Sequence, residues 1–138
     1  MGAARVRLPR LRSGERPKMT RRAAMFELKT EVWASALIRR ATIAGAFAAV
    51  GRKGDMDAGA VLVKVATLDG RARLYAPARN GDGERIWLDL SAGPLGENEP
   101  DVDAYVEKRA RTDPDLWVIE VEDKHGRHFL QEPVDGGD

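Results

Sequence analysis

His125 and His128 are the two histidines of the chain, and they stand three positions apart just after three carboxylates. Glu120, Glu122 and Asp123 supply those carboxylates, and imidazole together with carboxylate is a ligand set that zinc accepts. A turn is predicted between the two histidines, and solvated polar residues are common at such hairpin tips. The pattern therefore favours a hairpin over a metal centre.

Nucleophilic catalysis finds no support among the serines. The chain has three, Ser13, Ser35 and Ser91. None of them lies in the Gly-x-Ser-x-Gly turn that exposes the nucleophile of a hydrolase. We therefore predict no catalytic residue.

Asp55 and Asp57 lie in a polar loop, residues 52–59, with the spacing of the first two ligands of a calcium loop. Gly59 stands where the third ligand would be, and the glutamate that closes such a loop is missing. Gly54 and Gly59 also have the spacing of P-loop glycines, but the lysine and the serine or threonine of that motif are absent. We predict no metal and no cofactor here, and we assign Asp55 and Asp57 to a binding surface.

Arg71, Arg73 and Tyr75 alternate along one predicted strand, so their side chains should share one face of a sheet. A basic face that carries an aromatic ring can stack bases and follow phosphates. An ordinary solvent-exposed face would have the same pattern. We treat these three residues as a second binding surface, with nucleic acid as a possible but not favoured partner.

The charge is divided unevenly along the chain. Residues 1–24 contain eight arginines and lysines and one glutamate, which gives them a net charge of +7 and leaves −6 for the rest of a chain whose total is +1. A basic segment of this kind can attract nucleic acid or anionic lipid. Met19 and Met25 are alternative start positions, so the segment can be a mis-called extension. The extension over residues 1–27 is otherwise predicted to be disordered, and it is set aside from the fold.

Length and composition indicate one domain. A chain of 138 residues with 43% hydrophobic residues can form a single core. It has no cysteine, which fits a reducing cytoplasm, and no apolar run approaches the roughly 20 residues of a membrane span. We expect a soluble cytoplasmic protein without membrane association.

The hydrophobic periodicity predicts an α+β fold. Apolar residues at helical spacing indicate helices over residues 31–44 and 102–112, and alternating apolar residues indicate strands between and after them. The predicted order is α-β-β-β-β-α-β-β, with five to six strands in an antiparallel sheet and both helices on one face. The single domain is predicted to span residues 28–131, with a disordered tail over 132–138.

Three tryptophans help to place the core. Trp33 and Trp117 are predicted to anchor it. Trp87 is out of phase with Ile86 and Leu88, so it should lie on the other face of the sheet or at a partly covered edge.

Four segments together resemble domain-of-unknown-function family 1491 (DUF1491), which consists of small alphaproteobacterial proteins. They begin at Glu31, Gly54, Arg73 and Asp113, and the last reads Asp-Pro-Asp-Leu-Trp-Val-Ile-Glu-Val-Glu-Asp. The resemblance covers about residues 28–131. It implies a bacterial cytoplasmic domain and brings no assigned activity.

Three functions remain open. The favoured hypothesis is a non-catalytic module that binds a protein partner or regulates it. The second is a nucleic-acid binder that uses the basic extension and the Arg71, Arg73 and Tyr75 face. The third is a metal-dependent hydrolase built from Asp55 and Asp57 with His125 or His128, which requires the 52–59 loop and the 120–128 segment to meet.

Overall fold

The computed structural model describes residues 29–135. In this part of the chain, two helices, six strands and one 3₁₀ turn follow one another. In order they are α1 (Thr30–Ile43), β1 (Phe47–Arg52), β2 (Val61–Ala66), β3 (Ala72–Arg79), β4 (Arg85–Asp89), the 3₁₀ turn (Leu90–Ala92), α2 (Glu99–Thr112), β5 (Trp117–Glu122) and β6 (Val134–Asp135). The fold is α+β as predicted, and the order agrees with the prediction up to β5, but the last strand is Val134–Asp135 and not the segment predicted over 127–130. The predicted extension over 1–27 lies outside the described residues, as does the end of the predicted tail.

The sheet is mixed, so the prediction of a purely antiparallel sheet is wrong. Its strand order is β1-β5-β2-β3-β4-β6. β5 runs parallel to β2, with Val63 opposite Ile119, and antiparallel to β1, with Val50 opposite Ile119. β6 is parallel to β4. α2 is the reason, because it acts as a crossover that returns the chain to the far side of β2 before β5 begins.

The helices lie on opposite faces of the sheet, in contrast to the prediction of one shared face. α1 contributes Trp33 and Leu37 to a core cluster that includes Val63. α2 contributes Val102 to a second cluster that includes Leu62. Every residue of β2 is buried, as expected for a strand covered on both sides.

The tryptophans meet on the α1 face. Trp33 stacks on Trp87 with ring centroids 5.3 Å apart and planes at 23°. Trp117 belongs to the same cluster, so Trp33 and Trp117 are core residues as predicted. Trp87 does lie on the face opposite Ile86 and Leu88. It is buried in the core, however, and does not lie at a partly covered edge: only 2% of its surface is exposed.

The segment after β5 does not return as the strand predicted over residues 127–130. Both edges of β5 are already paired, so no edge is left for it. Residues 124–133, which we call the strap, instead cross the α1 face to reach β6. The Arg40 guanidinium donates from Nε and Nη2 to the Phe129 carbonyl, at 3.1 and 2.9 Å, and Trp87 Nε1 donates to Glu132 at 3.0 Å.

Neither helix in the described part of the chain has the length and apolar character needed to cross a membrane.

Candidate functional site

Within residues 29–135, no helix lies over one half of the α2 face of the sheet. α2 packs on β2 and β3, where Leu62 and Leu74 meet Val102. Beyond β2 on the same face, Phe47 of β1 lies opposite Glu122 of β5, and Ala49 lies opposite Glu120. Directly opposite residues on neighbouring strands point to the same side of the sheet. We call this surface, formed by Phe47, Ala49, Gly51, Glu120 and Glu122, the open half-face.

The open half-face combines an exposed aromatic ring with exposed carboxylates. Phe47 keeps 58% of its surface exposed although it stands in a strand. Glu120 and Glu122 are also exposed, and neither makes an ion pair within residues 29–135. Unpartnered apolar and acidic groups side by side suit a ligand that has both apolar and basic groups.

Gly51 makes room for the Glu120 carboxylate. A Cβ atom on Gly51 would lie 2.8 Å from Glu120 Cδ and from Oε2. The Glu120 side chain therefore lies across β1 rather than pointing straight into solvent. At this position the register of β1 against β5 shifts between Val50 and Arg52, which is a β-bulge.

Lys64 marks the boundary between the covered and open halves. Its Nζ lies 2.7 Å from Glu99 Oε2 and 2.6 Å from Asp103 Oδ1, both on α2. Burial alone would lower the pKa of Lys64, but the hydrogen bonds to Asp103 and Glu99 outweigh it and raise the pKa above its ordinary value. The ammonium is thus engaged with α2 and does not neutralise Glu120, its neighbour on β5.

The outer edge of β1 is open as well. β1 is the first strand of the sheet, and no strand of the described chain pairs with its outer side. Such an edge presents unpaired N–H and C=O groups to any extended segment that can reach it. Pairing is easiest along residues 47–50, because the bulge at Gly51 disturbs the rest of the edge.

The structure gives Asp55 a local role. Its Oδ2 accepts hydrogen bonds from the backbone N–H groups of Asp57 and Ala58, at 3.2 and 2.9 Å. Its backbone carbonyl accepts from Trp117 Nε1 at 2.6 Å. Asp57 forms an exposed ion pair with Lys29 at 3.4 Å. The loop closes on itself and fastens to β5, and binding by Asp55 and Asp57 stays a prediction.

Arg71, Arg73 and Tyr75 do not form one solvent-exposed face. Tyr75 is fully buried and packs edge-on against His128, with ring centroids 5.1 Å apart. Arg71 Nη2 lies 2.6 Å from Glu97 Oε1, and Arg73 Nε lies 3.7 Å from Glu97 Oε2. The phenol ring is therefore not available for stacking on a base.

The histidines lie far from the aspartate loop. Asp55 N donates to the carbonyl of Asp115, just before β5 begins, whereas residues 123–128 follow the other end of that strand. Six residues of strand separate the two places by about 17 Å. No group of three or more histidine and carboxylate side chains within residues 29–135 could hold a metal ion. His128 Nδ1 accepts a hydrogen bond from Leu130 N at 3.0 Å.

Sequence reasoning missed the open half-face. The alternation of β5 does place Glu120 and Glu122 on the side opposite Ile119 and Val121. The pairing of β5 with β1 is what brings Phe47 beside Glu122, and nothing in the two segments alone signals it.

Comparison with known proteins gives consistent results. A family model described as protein of unknown function (DUF1491) matches residues 28–131. The crystal structure of a DUF1491 family protein from Caulobacter crescentus is similar, with a TM-score of 0.70 and 57% identity, covering 78% of this chain and 99% of that one. A solution structure of a protein from A. tumefaciens has a TM-score of 0.61 and 37% identity, covering 74% and 91%. No curated protein matches the chain.

Proposed function

Because the chain belongs to the DUF1491 family, whose description assigns no activity, we infer its function from its own surface, and we propose that it is a non-catalytic protein-binding module. The observation that carries the proposal is the open half-face beside the free edge of β1. An exposed aromatic ring on a sheet face is a typical anchor for a protein partner. We further propose the cytoplasm as its compartment, since the chain contains no cysteine.

The polar side chains support binding rather than chemistry. Those with the most contacts hold the fold together: Asp55 closes its loop, Asp123 binds Arg127, and Glu132 accepts from Trp87. A hydrolytic site would need several such groups directed at one reacting atom. The separation of the 52–59 loop from His125 and His128 removes the basis of the hydrolase hypothesis.

The nucleic-acid hypothesis loses one of its two supports. The burial of Tyr75 leaves Arg71 and Arg73 without an aromatic partner, and both arginines are close to Glu97. The other support, the basic extension, lies outside the described residues. No contact of the described residues favours nucleic acid over protein.

Affinity capture from a bacterial lysate tests the proposal. The bait is the full chain, as wild type, as Phe47→Asp, and as Leu88→Asp. Leu88 is the matched control because it is also an exposed apolar strand residue, 37% exposed, on β4, which three strands separate from β1. We expect a partner that the wild type and Leu88→Asp recover and Phe47→Asp loses. If every captured protein is recovered equally by all three baits, the open half-face is not a binding surface.

A further inference from the structure

We propose that the open half-face binds a basic segment of the same chain, residues 5–12, so that this surface is occupied in cis until a partner displaces the segment. The inference rests on the proposed function, because it takes the open half-face as a binding surface. It adds the identity of the first occupant and a means of regulation, since a partner would have to compete with the segment.

The segment and the open half-face carry opposite charges. Residues 5–12 contain four arginines and no acid. The open half-face presents Glu120 and Glu122, both of which are exposed. Lys64, the nearest buried cation, is already engaged by Glu99 and Asp103. Four positive charges thus meet carboxylates that lack a cationic partner in the described chain, which favours association.

Basic and apolar residues alternate in the segment. Arg5 and Arg7 alternate with Val6 and Leu8, so an extended chain would direct arginines to one side and apolar side chains to the other. Paired with the free edge of β1, such a strand would direct its arginines to the side of the sheet that carries Glu122. Val6 and Leu8 would then face the other side, where Val50 of β1 is 42% exposed. Pro9 is compatible with this position, because proline is tolerated in a strand at the edge of a sheet.

The chain between the segment and α1 is long enough for the segment to reach β1. Lys29, the first described residue, precedes α1, and Glu31 N donates to the Met56 carbonyl at 3.2 Å. This places the start of α1 beside the loop that follows β1. Arg12 and Lys29 are seventeen positions apart, a distance that can span up to about 56 Å when the chain is extended. A strand of six residues is only about 20 Å long, so the segment can reach any part of β1.

Limited proteolysis of the full chain tests the inference. Trypsin cleaves after arginine, so cleavage within residues 5–12 reports how often the segment is free. The variants are Glu122→Lys and, as the matched control, Asp82→Lys, which makes the same charge change in the exposed β3–β4 loop. We expect cleavage of Glu122→Lys to be about fivefold faster than that of the wild type, the effect of one surface ion pair, and Asp82→Lys to behave like the wild type.

Amide hydrogen exchange supplies the second measurement, on the wild type and the same two variants. The amides of β1 that face away from β5 should exchange more slowly in the wild type than in Glu122→Lys. Raising the salt concentration should reduce that difference, because it screens the ion pairs.

Other results would overturn the inference. Equal cleavage in all three proteins means that the segment is not bound, and equal acceleration in both variants means only a general attraction of charges. Slower cleavage that depends on protein concentration means that the segment binds a second copy instead. If any of these holds while capture still depends on Phe47, the cis occupant is wrong and the binding module stands. If capture also fails, both proposals fall.

Discussion

Asp123 shows how much a single carboxylate can contribute at the end of a strand. Its Oδ2 accepts hydrogen bonds from the backbone N–H and the Nε of Arg127, at 2.8 and 2.9 Å, and its Oδ1 accepts from Nη2 at 2.9 Å. These bonds lower the pKa of Asp123 from 3.8 to about 2. A lowered pKa stabilises the fold at pH values above about 4, and the contribution is lost as the pH falls towards 2.

We predict that Asp123→Asn lowers the free energy of unfolding by about 1–2 kcal/mol at pH 7, a value reduced because solvent screens the half-exposed Arg127. The variant should also lose less stability than the wild type between pH 4 and pH 2. Urea denaturation at pH 7, 4 and 2 measures both effects. Asp82→Asn, in an exposed loop, is the control and should follow the wild type. A parallel acid dependence in Asp123→Asn and the wild type would contradict the assignment.

Gly54 is required for the contact of the 52–59 loop with β5. A Cβ atom at Gly54 would lie 2.1 Å from the carbonyl oxygen of Asp115 and 2.7 Å from the backbone carbon of Leu116. Backbone atoms cannot move aside as a flexible side chain can, so the loop would have to leave β5.

We predict that Gly54→Ala destabilises the protein by about 3 kcal/mol. Gly81→Ala is the matched control, because a Cβ atom at Gly81 meets nothing within 4 Å, and it should change the stability by less than about 0.5 kcal/mol. Thermal or urea denaturation of the two variants and the wild type measures these changes in stability. Equal stabilities would mean that the loop does not depend on this close approach.

At the residue scale, the sequence allowed side chains to be assigned to faces but not to partners. The alternation of β2 separated Val61, Val63 and Val65 from Leu62 correctly. The same alternation placed Tyr75 opposite Leu74 but could not show that the strap covers it. Tyr75 is buried by the strap, which follows it by more than fifty residues. No pattern in the sequence around Tyr75 indicates this burial.

At the element scale, the strap depends on α1 for its position. Arg40 holds the Phe129 carbonyl with two N–H groups, and Phe129 has a φ of 62°, which is unusual for a residue with a large side chain. Burial is the main cause that lowers the pKa of Arg40, and the nearby charge of Glu132 opposes it. The strap therefore keeps its backbone conformation through an interaction with a different element.

We predict that Arg40→Met loosens the strap. Methionine keeps an apolar stem against the helix but donates no hydrogen bond, so amides of residues 128–132 should exchange about tenfold faster or more. Arg39→Met is the control, because Arg39 is exposed on the same helix. Hydrogen exchange followed by mass spectrometry or NMR measures the effect. Unchanged exchange in Arg40→Met would show that the core residues alone fix the strap.

The elements themselves were largely predictable, whereas their arrangement was not. Helical spacing placed α1 within one residue at each end, and the alternation of apolar residues located β2 to β5. The prediction of antiparallel neighbours assumed that strands close in sequence pair with each other. β5 departs from that tendency because α2 crosses over the sheet, and the length of the connection alone does not tell which edge it reaches.

On the scale of the whole molecule, the sheet couples two hydrophobic cores. Leu37 of α1 and Val102 of α2 are both fully buried, on opposite sides of the sheet. They share no contacts, yet the strands between them belong to both cores. The described residues should therefore unfold as one cooperative unit.

We predict that Leu37→Ala costs about 3 kcal/mol and Val102→Ala about 2 kcal/mol. The double variant should lose the sum to within about 0.5 kcal/mol, because the sites are distant, and should still unfold in a single transition. Urea denaturation followed by fluorescence and by circular dichroism tests both statements. Transitions that differ between the two probes would mean that the two faces unfold separately.

The central position of β5 has a consequence for synthesis on the ribosome. β1 and β2 are synthesised early. Both pair with β5, and β5 is not complete until residue 122 has been added. Until then the nascent chain exposes two unpaired strand edges and the valines that β5 will cover. Chaperones that bind extended apolar segments could therefore bind the nascent chain until β5 has been synthesised. The sheet would then form late, in a single step.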